Sequence, residues 1–149
     1  MRIGVFFPTK EYAPLDEMVD RLRGIADAGF SSAWLPQSSG FDALTVLAVA
    51  ADRVPRVELG TSVVPTYPRH PVALAAQALT VNAATGGRLL LGLGLSHRAT
   101  IEDTFGMSYD QPARHMREYL AALMPLLEAG RVEVHGTTIR AREIGRAHV

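Results

Sequence analysis

The chain has 149 residues, 48% of them apolar, enough for one domain with a buried core. Fifteen basic residues balance fifteen acidic ones, so the basic excess that nucleic acid or an anionic membrane surface attracts is missing. The absence of cysteine excludes a disulfide scaffold, a thiol nucleophile and any Cys-ligated zinc or iron–sulfur centre.

Four short segments read as strands: Arg2–Phe7, Ser32–Leu35, Val57–Val64 and Arg88–Leu95. Each is almost continuously apolar, the pattern of strands covered on both faces in a parallel sheet. Between and after them lie helical segments. Leu15, Met18, Val19, Leu22, Ile25 and Ala26 form an amphipathic stripe, with Pro14 in the first turn and Gly29 as a left-handed end. Asp42 is placed to cap a second helix, Ala43–Asp52. Pro71 opens a third, Val72–Ala84, closed by Gly86-Gly87. Asp110 and Pro112 open a fourth, which carries Met116, Tyr119, Leu120, Leu123 and Leu127 and ends at Gly130. Pro125 inside it is expected to kink or shorten it. Arg131–Thr137 reads as a short strand and turn, half of a surface hairpin.

The order is four successive βα units, which implies right-handed parallel crossovers. An open doubly wound sheet and half of a (β/α)8 barrel both fit this order. A complete barrel needs about 250 residues. The last six residues, Ile144–Val149, carry no cap and no apolar pattern, and match what one frame of a sequencing-library adapter encodes. They are expected to be a non-native tail, leaving residues 1–143 as the domain.

Parallel α/β proteins place their chemistry at the carboxyl ends of the strands. The residues there are Pro8 and Thr9, then Pro36 and Gln37, then Thr61 to Pro65, then Ser96 and His97. Each alone is as compatible with an ordinary turn or cap. The stretch from Gly60 to Pro71 holds three prolines, so it reads as a stiff loop whose backbone suits a flat ligand. Gly92-Leu93-Gly94 is not a dinucleotide fingerprint, because its glycines lie inside the strand and no third follows. There is no Walker A pattern and no Gly-x-Ser-x-Gly elbow. His97 is the best single candidate for chemistry, as a proton donor or a hydrogen-bond partner of a cofactor ring. His70 is expected to cap the third helix and His115 to face solvent. The five histidines lie far apart, so no metal site is expected. No apolar run approaches the roughly 20 residues of a membrane span, and no cleavage pattern follows Ile3–Phe7, so the expected compartment is the cytoplasm.

Several of these elements, in this order, resemble one family. They are the opening Arg2 to Pro8 (RIGVFFP), Ala28 to Trp34 (AGFSSAW), Leu59 to Pro65 (LGTSVVP), Arg69-His70-Pro71 with its Ala-rich helix, and Gly87 to Gly94 (GRLLLGLG). Together they resemble the N-terminal half of the luciferase-like monooxygenases. Within that superfamily the chain is most similar to the deazaflavin (coenzyme F420)-dependent oxidoreductases related to methylenetetrahydromethanopterin reductase.

The resemblance implies the N-terminal half of a (β/α)8 barrel, with four parallel strands in order 1-2-3-4 and helices outside. It implies F420 as cofactor, with FMN as the alternative, and hydride transfer between the deazaflavin C5 and a small organic substrate. It implies a bulge or non-prolyl cis peptide at Thr61 to Val63, with Ser62-Val63 the expected bond. Gln37, Thr61, Ser62, Val63, Ser96 and His97 are then the expected cofactor-binding residues, and His97 the expected catalytic one. A homodimer is expected of the full-length protein. The family's phosphate-binding loops belong to the second half of the barrel, so the 149-residue chain alone is expected to be inactive and poorly stable. Two other readings remain: a non-catalytic half-barrel serving binding or assembly, and a flavodoxin-like regulator. A strand order of 2-1-3-4 would mark the last.

Overall fold

The computed structural model describes residues 1–6, 13–38 and 40–143. Pro8, Thr9 and the Ile144–Val149 tail lie outside the described residues. Two compact units divide the chain: Met1–Val64 with Ala78–Gly94, and Pro65–Gln77 with Leu95–Val149.

The first unit is built on a parallel sheet. Its strands are β1 (Gly4–Phe6), β2 (Ser32–Leu35) and β3 (Glu58–Thr61), followed by short β4 (Val64–Pro65), β5 (Leu89–Leu90) and β6 (Leu93–Gly94). The four-stranded sheet has the order β1-β2-β3-β5. All its pairings are parallel, with Phe6 opposite Trp34 and Trp34 opposite Gly60. Strands therefore neighbour one another in chain order, as a barrel-derived sheet requires, and the flavodoxin-like order is excluded.

Side chains alternate across these strands. Ala33, Leu35 and Leu59 are fully buried on the face that meets α1 (Leu15–Asp27) and α2 (Ala43–Ala50). Met18, Val19 and Leu22 of α1 are buried with them, as the stripe predicts. Asp42 caps α2, its carboxylate accepting from the Thr45 N–H at 2.9 Å and the Thr45 hydroxyl at 2.8 Å. On the opposite face the Trp34 indole lies flat over its neighbours. A Cβ at Gly60 would collide with that ring, so glycine is required there.

Arg88 closes the bottom of this unit. Its guanidinium donates to the carbonyls of Thr85 at 2.7 Å, Val54 at 2.7 Å, Val57 at 2.9 Å and Ala51 at 3.0 Å. Those carbonyls lie just past α2 and α3 (Pro71–Ala84), where helix carbonyls lack internal partners.

The second unit centres on α4 (Pro112–Ala129) and an antiparallel hairpin, β7 (Val132–His135) and β8 (Arg140–Glu143). In α4 an early end at Pro125 and the expected buried face are both overturned. Pro125 does not end the helix, which runs on to Ala129 and stops at Gly130 in a left-handed conformation, φ 68°. Buried Ala122, Leu123 and Leu126 flank Pro125 and hold the helix against the lost hydrogen bond. The buried stripe is also turned by about one position. It runs through His115, Tyr119, Ala122, Leu123 and Leu126, leaving Leu120 and Met124 exposed.

Candidate functional site

The strand ends of the first unit are locked by one side chain. Thr61, fully buried at the end of β3, places its hydroxyl against Gly92. That hydroxyl donates to the Gly92 carbonyl at 2.9 Å and accepts from the Gly92 N–H at 2.9 Å. A Cβ at Gly92 would collide with the Thr61 carbonyl, so only glycine permits this approach. The clasp interrupts both long strands expected here, splitting Val57–Val64 into β3 and β4 and Arg88–Leu95 into β5 and β6.

Beyond the clasp the chain turns outward. The Ser62–Val63 peptide is cis, at the bond the resemblance implied. The Ser62 N–H donates to the Leu35 carbonyl at 2.9 Å, and the Val64 N–H to the Gly92 carbonyl at 2.9 Å. Ser62 and Val63 themselves are exposed. Gly94 lies directly under Val63, and a Cβ there would meet the Val63 side chain. The result is a short, exposed wall of main chain and one isopropyl group, fixed from behind.

Gln37 follows β2 in the same unit. Its Oε1 accepts from the Ala43 N–H at 2.8 Å, so the side chain caps the start of α2.

Ser96 and His97 belong to the second unit. Ser96 adopts φ 62°, unusual for a residue with a side chain. The His97 side chain is exposed, and its carbonyl accepts from the Ile101 N–H at 3.0 Å. A π-helical turn, Thr100–Thr104, follows directly.

A column of rings was not anticipated from the sequence. The Tyr109 hydroxyl donates to the Ser96 carbonyl at 3.1 Å. Its ring stacks on Tyr67 with centroids 5.2 Å apart, and Tyr67 stacks on His115 at 3.9 Å with planes 6° apart. His115 was expected to face solvent but is buried, with Nε2 hydrogen-bonded to the Thr66 hydroxyl at 3.1 Å. Its two stacking and bonding partners make burial of the polar ring tolerable. Burial lowers the His115 pKa, against an opposing pull from Glu118. Burial also raises the pKa of Tyr67, whose hydroxyl meets no partner among the described residues. Tyr119 donates to the Arg69 carbonyl at 2.8 Å.

Beside the column lies a cavity of about 590 Å³, lined in part by Tyr67, Arg69, His70, Gln111 and Thr138. Neither Ser96 nor His97 lines it. His70 caps as expected: Nε2 donates to the Arg140 carbonyl at 2.8 Å, which leaves Nδ1 to accept from the Val72 N–H at 3.3 Å.

Among the described residues no group of acidic, His or Cys side chains is placed to hold a metal ion. No helix there is long and apolar enough to cross a membrane.

The strand order and these strand-end features define a barrel-type α/β scaffold. Residues 1–148 match the family model described as luciferase-like monooxygenase, and the chain belongs to that family. It is 34% identical over 120 residues to a Mycobacterium tuberculosis protein whose name assigns it, provisionally, to the coenzyme F420-dependent oxidoreductases. That match covers 80% of this chain and 35% of the relative, so the chain spans about a third of the relative's length. The structure of the coenzyme F420-dependent tetrahydromethanopterin reductase of Methanopyrus kandleri superimposes with a TM-score of 0.84 at 23% identity, over 97% of this chain and 45% of the other. The oxygenating constituent of 3,6-diketocamphane monooxygenase from Pseudomonas putida, a complex with FMN, superimposes with a TM-score of 0.83 at 15% identity, over 96% and 44%. The fold is thus the α/β fold of these luciferase-like enzymes, present as part of a barrel.

Proposed function

We propose that this chain is part of a deazaflavin (F420)-dependent oxidoreductase acting on a small organic substrate. The observation that carries the reading is the exposed Ser62–Val63 wall, held by the Thr61–Gly92 clasp and backed by Gly94. A flat ring needs a wall that does not yield, and a main-chain surface with one small apolar side chain suits it.

When bound, the cofactor supplies hydride exchange at its C5, and the protein's part is to place and shield it. Ser62 and Val63 are assigned the ring's back face. Thr61 positions them, since its hydroxyl is spent on Gly92. Gln37 acts mainly by capping α2, which fixes the end of β2. Ser96 and His97 are assigned polar contacts with the ring or its ribityl chain. His97, whose side chain is exposed, is assigned proton donation to the substrate. The 149-residue chain alone is proposed to lack turnover, and a homodimer is proposed for the full-length protein.

FMN is the second reading, supported by the FMN-bound neighbour of the same fold. The test is equilibrium titration of the protein, expressed from its intact gene, with F420 and with FMN. F420 is expected to bind at least tenfold more tightly, about 1.4 kcal/mol. Tighter binding of FMN would move the assignment to the flavin-dependent branch. Binding of neither would remove the enzymatic reading.

A further inference from the structure

We propose that Tyr109 is a positioning residue that turns the Ser96–His97 peptide so that the His97 N–H faces a bound ligand. This deepens the functional reading above and rests on it for the ligand's identity.

Ser96 follows β6 in the chain. Its φ of 62° is a conformation that residues with a Cβ seldom adopt unaided. Something must hold it, and the Tyr109 hydroxyl does so by donating to the Ser96 carbonyl at 3.1 Å. In a trans peptide the C=O and the next N–H point in opposite directions. Fixing the Ser96 carbonyl towards Tyr109 therefore aims the His97 N–H the other way. Among the described residues no acceptor meets that N–H. Among these residues it is a directed, unspent donor, suited to a carbonyl oxygen or ring nitrogen of a ligand.

Tyr109 can act this way because its ring is packed by two neighbours. Its ring is held between the Arg98 guanidinium, 5.2 Å from the centroid, and the Tyr67 ring. Arg98 is itself paired with Glu102 at 2.5 Å. Tyr67 rests on His115, which is buried in α4 and tied to Thr66. The column thus runs from the core of the second unit to one outward carbonyl. Packing explains the rings but not the Tyr109 hydroxyl, whose acceptor is that carbonyl.

The test is Tyr109→Phe, which keeps the ring stack and deletes the hydroxyl, with Tyr119→Phe as a control that loses its own bond to the Arg69 carbonyl. The left-handed φ of Ser96, read from backbone NMR couplings and chemical shifts, is expected to be lost in Y109F and kept in Y119F. The Kd for F420, read from its fluorescence, is expected to rise about tenfold in Y109F, the size of one lost hydrogen bond. The thermal midpoint of Y109F should stay within about 2 °C of wild type. An unchanged Ser96 φ in Y109F overturns the proposal, as does a changed φ with unaltered F420 affinity. If wild-type protein binds no F420, the functional reading fails on its own, and the Ser96 φ in Y109F still decides whether Tyr109 holds the loop.

Discussion

The Thr61 hydroxyl and the Gly92 peptide group are joined by two hydrogen bonds, one donated to the carbonyl and one accepted from the N–H, each 2.9 Å. One side chain thereby replaces a stretch of strand ladder. Thr61→Val keeps the shape and removes both bonds, stranding the Gly92 N–H while the Gly92 carbonyl keeps the Val64 N–H. The expected loss is about 1–3 kcal/mol of unfolding free energy. Thr61→Ser should recover most of it. Urea denaturation of the three proteins checks this, and equal midpoints for T61V and wild type would show that the clasp carries no stability.

Arg88 donates to four carbonyls from one planar group, which an ammonium cannot imitate. Arg88→Lys is expected to lose on the order of 2 kcal/mol and Arg88→Ala on the order of 3 kcal/mol. Chemical denaturation distinguishes them. A lysine variant as stable as wild type would mean that charge near the helix ends matters and the fork does not.

Glu118 grips the hairpin turn. Its carboxylate accepts from the Thr138 hydroxyl at 2.7 Å, the Thr138 N–H at 2.7 Å and the Ile139 N–H at 3.1 Å. These bonds, that of the Thr138 hydroxyl foremost, bring its pKa from 4.5 down to about 2. The folded state therefore holds the proton less tightly than the unfolded one. The contribution is complete above about 4.5 and is lost as pH falls towards and through about 2. Denaturation midpoints of wild type and Glu118→Gln should converge over that range. A constant difference between them would contradict the clamp.

His115 gives a second acid-side dependence at higher pH. Around it stand Thr66, Tyr67 and Tyr119, with Glu118 on its own helix. Burial lowers its pKa below 6.5, so the folded state favours the neutral ring while the unfolded chain takes up a proton. Stability is thus expected to fall as pH drops below 6.5. His115→Asn should be less stable at neutral pH and should lack that component of the decline. Parallel midpoint-versus-pH curves for the two proteins would show that His115 does not titrate on unfolding.

Much of the fold was legible because its signals are local. Ser32–Leu35 is apolar and bounded, and it forms a strand over those same residues. Asp42, Pro71 and Gly130 mark helix ends by capping chemistry that needs no tertiary partner. The breaks at Ser62 and Gly92 were invisible to periodicity, because a side-chain hydroxyl from one strand bonds the backbone of another. The face of α4 was misread for a related reason. Counting apolar residues favoured Met116 and Leu120, whereas His115 is buried by a stacked ring and a hydroxyl from a loop 49 positions away. Tyr67 and Tyr109 carried no motif, and only their shared distance to His115 and Ser96 gives them a role.

In the proposed function the Ser62–Val63 wall receives the cofactor ring. Titrating isotope-labelled protein with F420 while following the backbone amides of Ser62 and Val63 tests it directly. Both resonances are expected to shift saturably, with the same dissociation constant as the fluorescence titration. Saturable F420 binding that leaves both amides unmoved would contradict it.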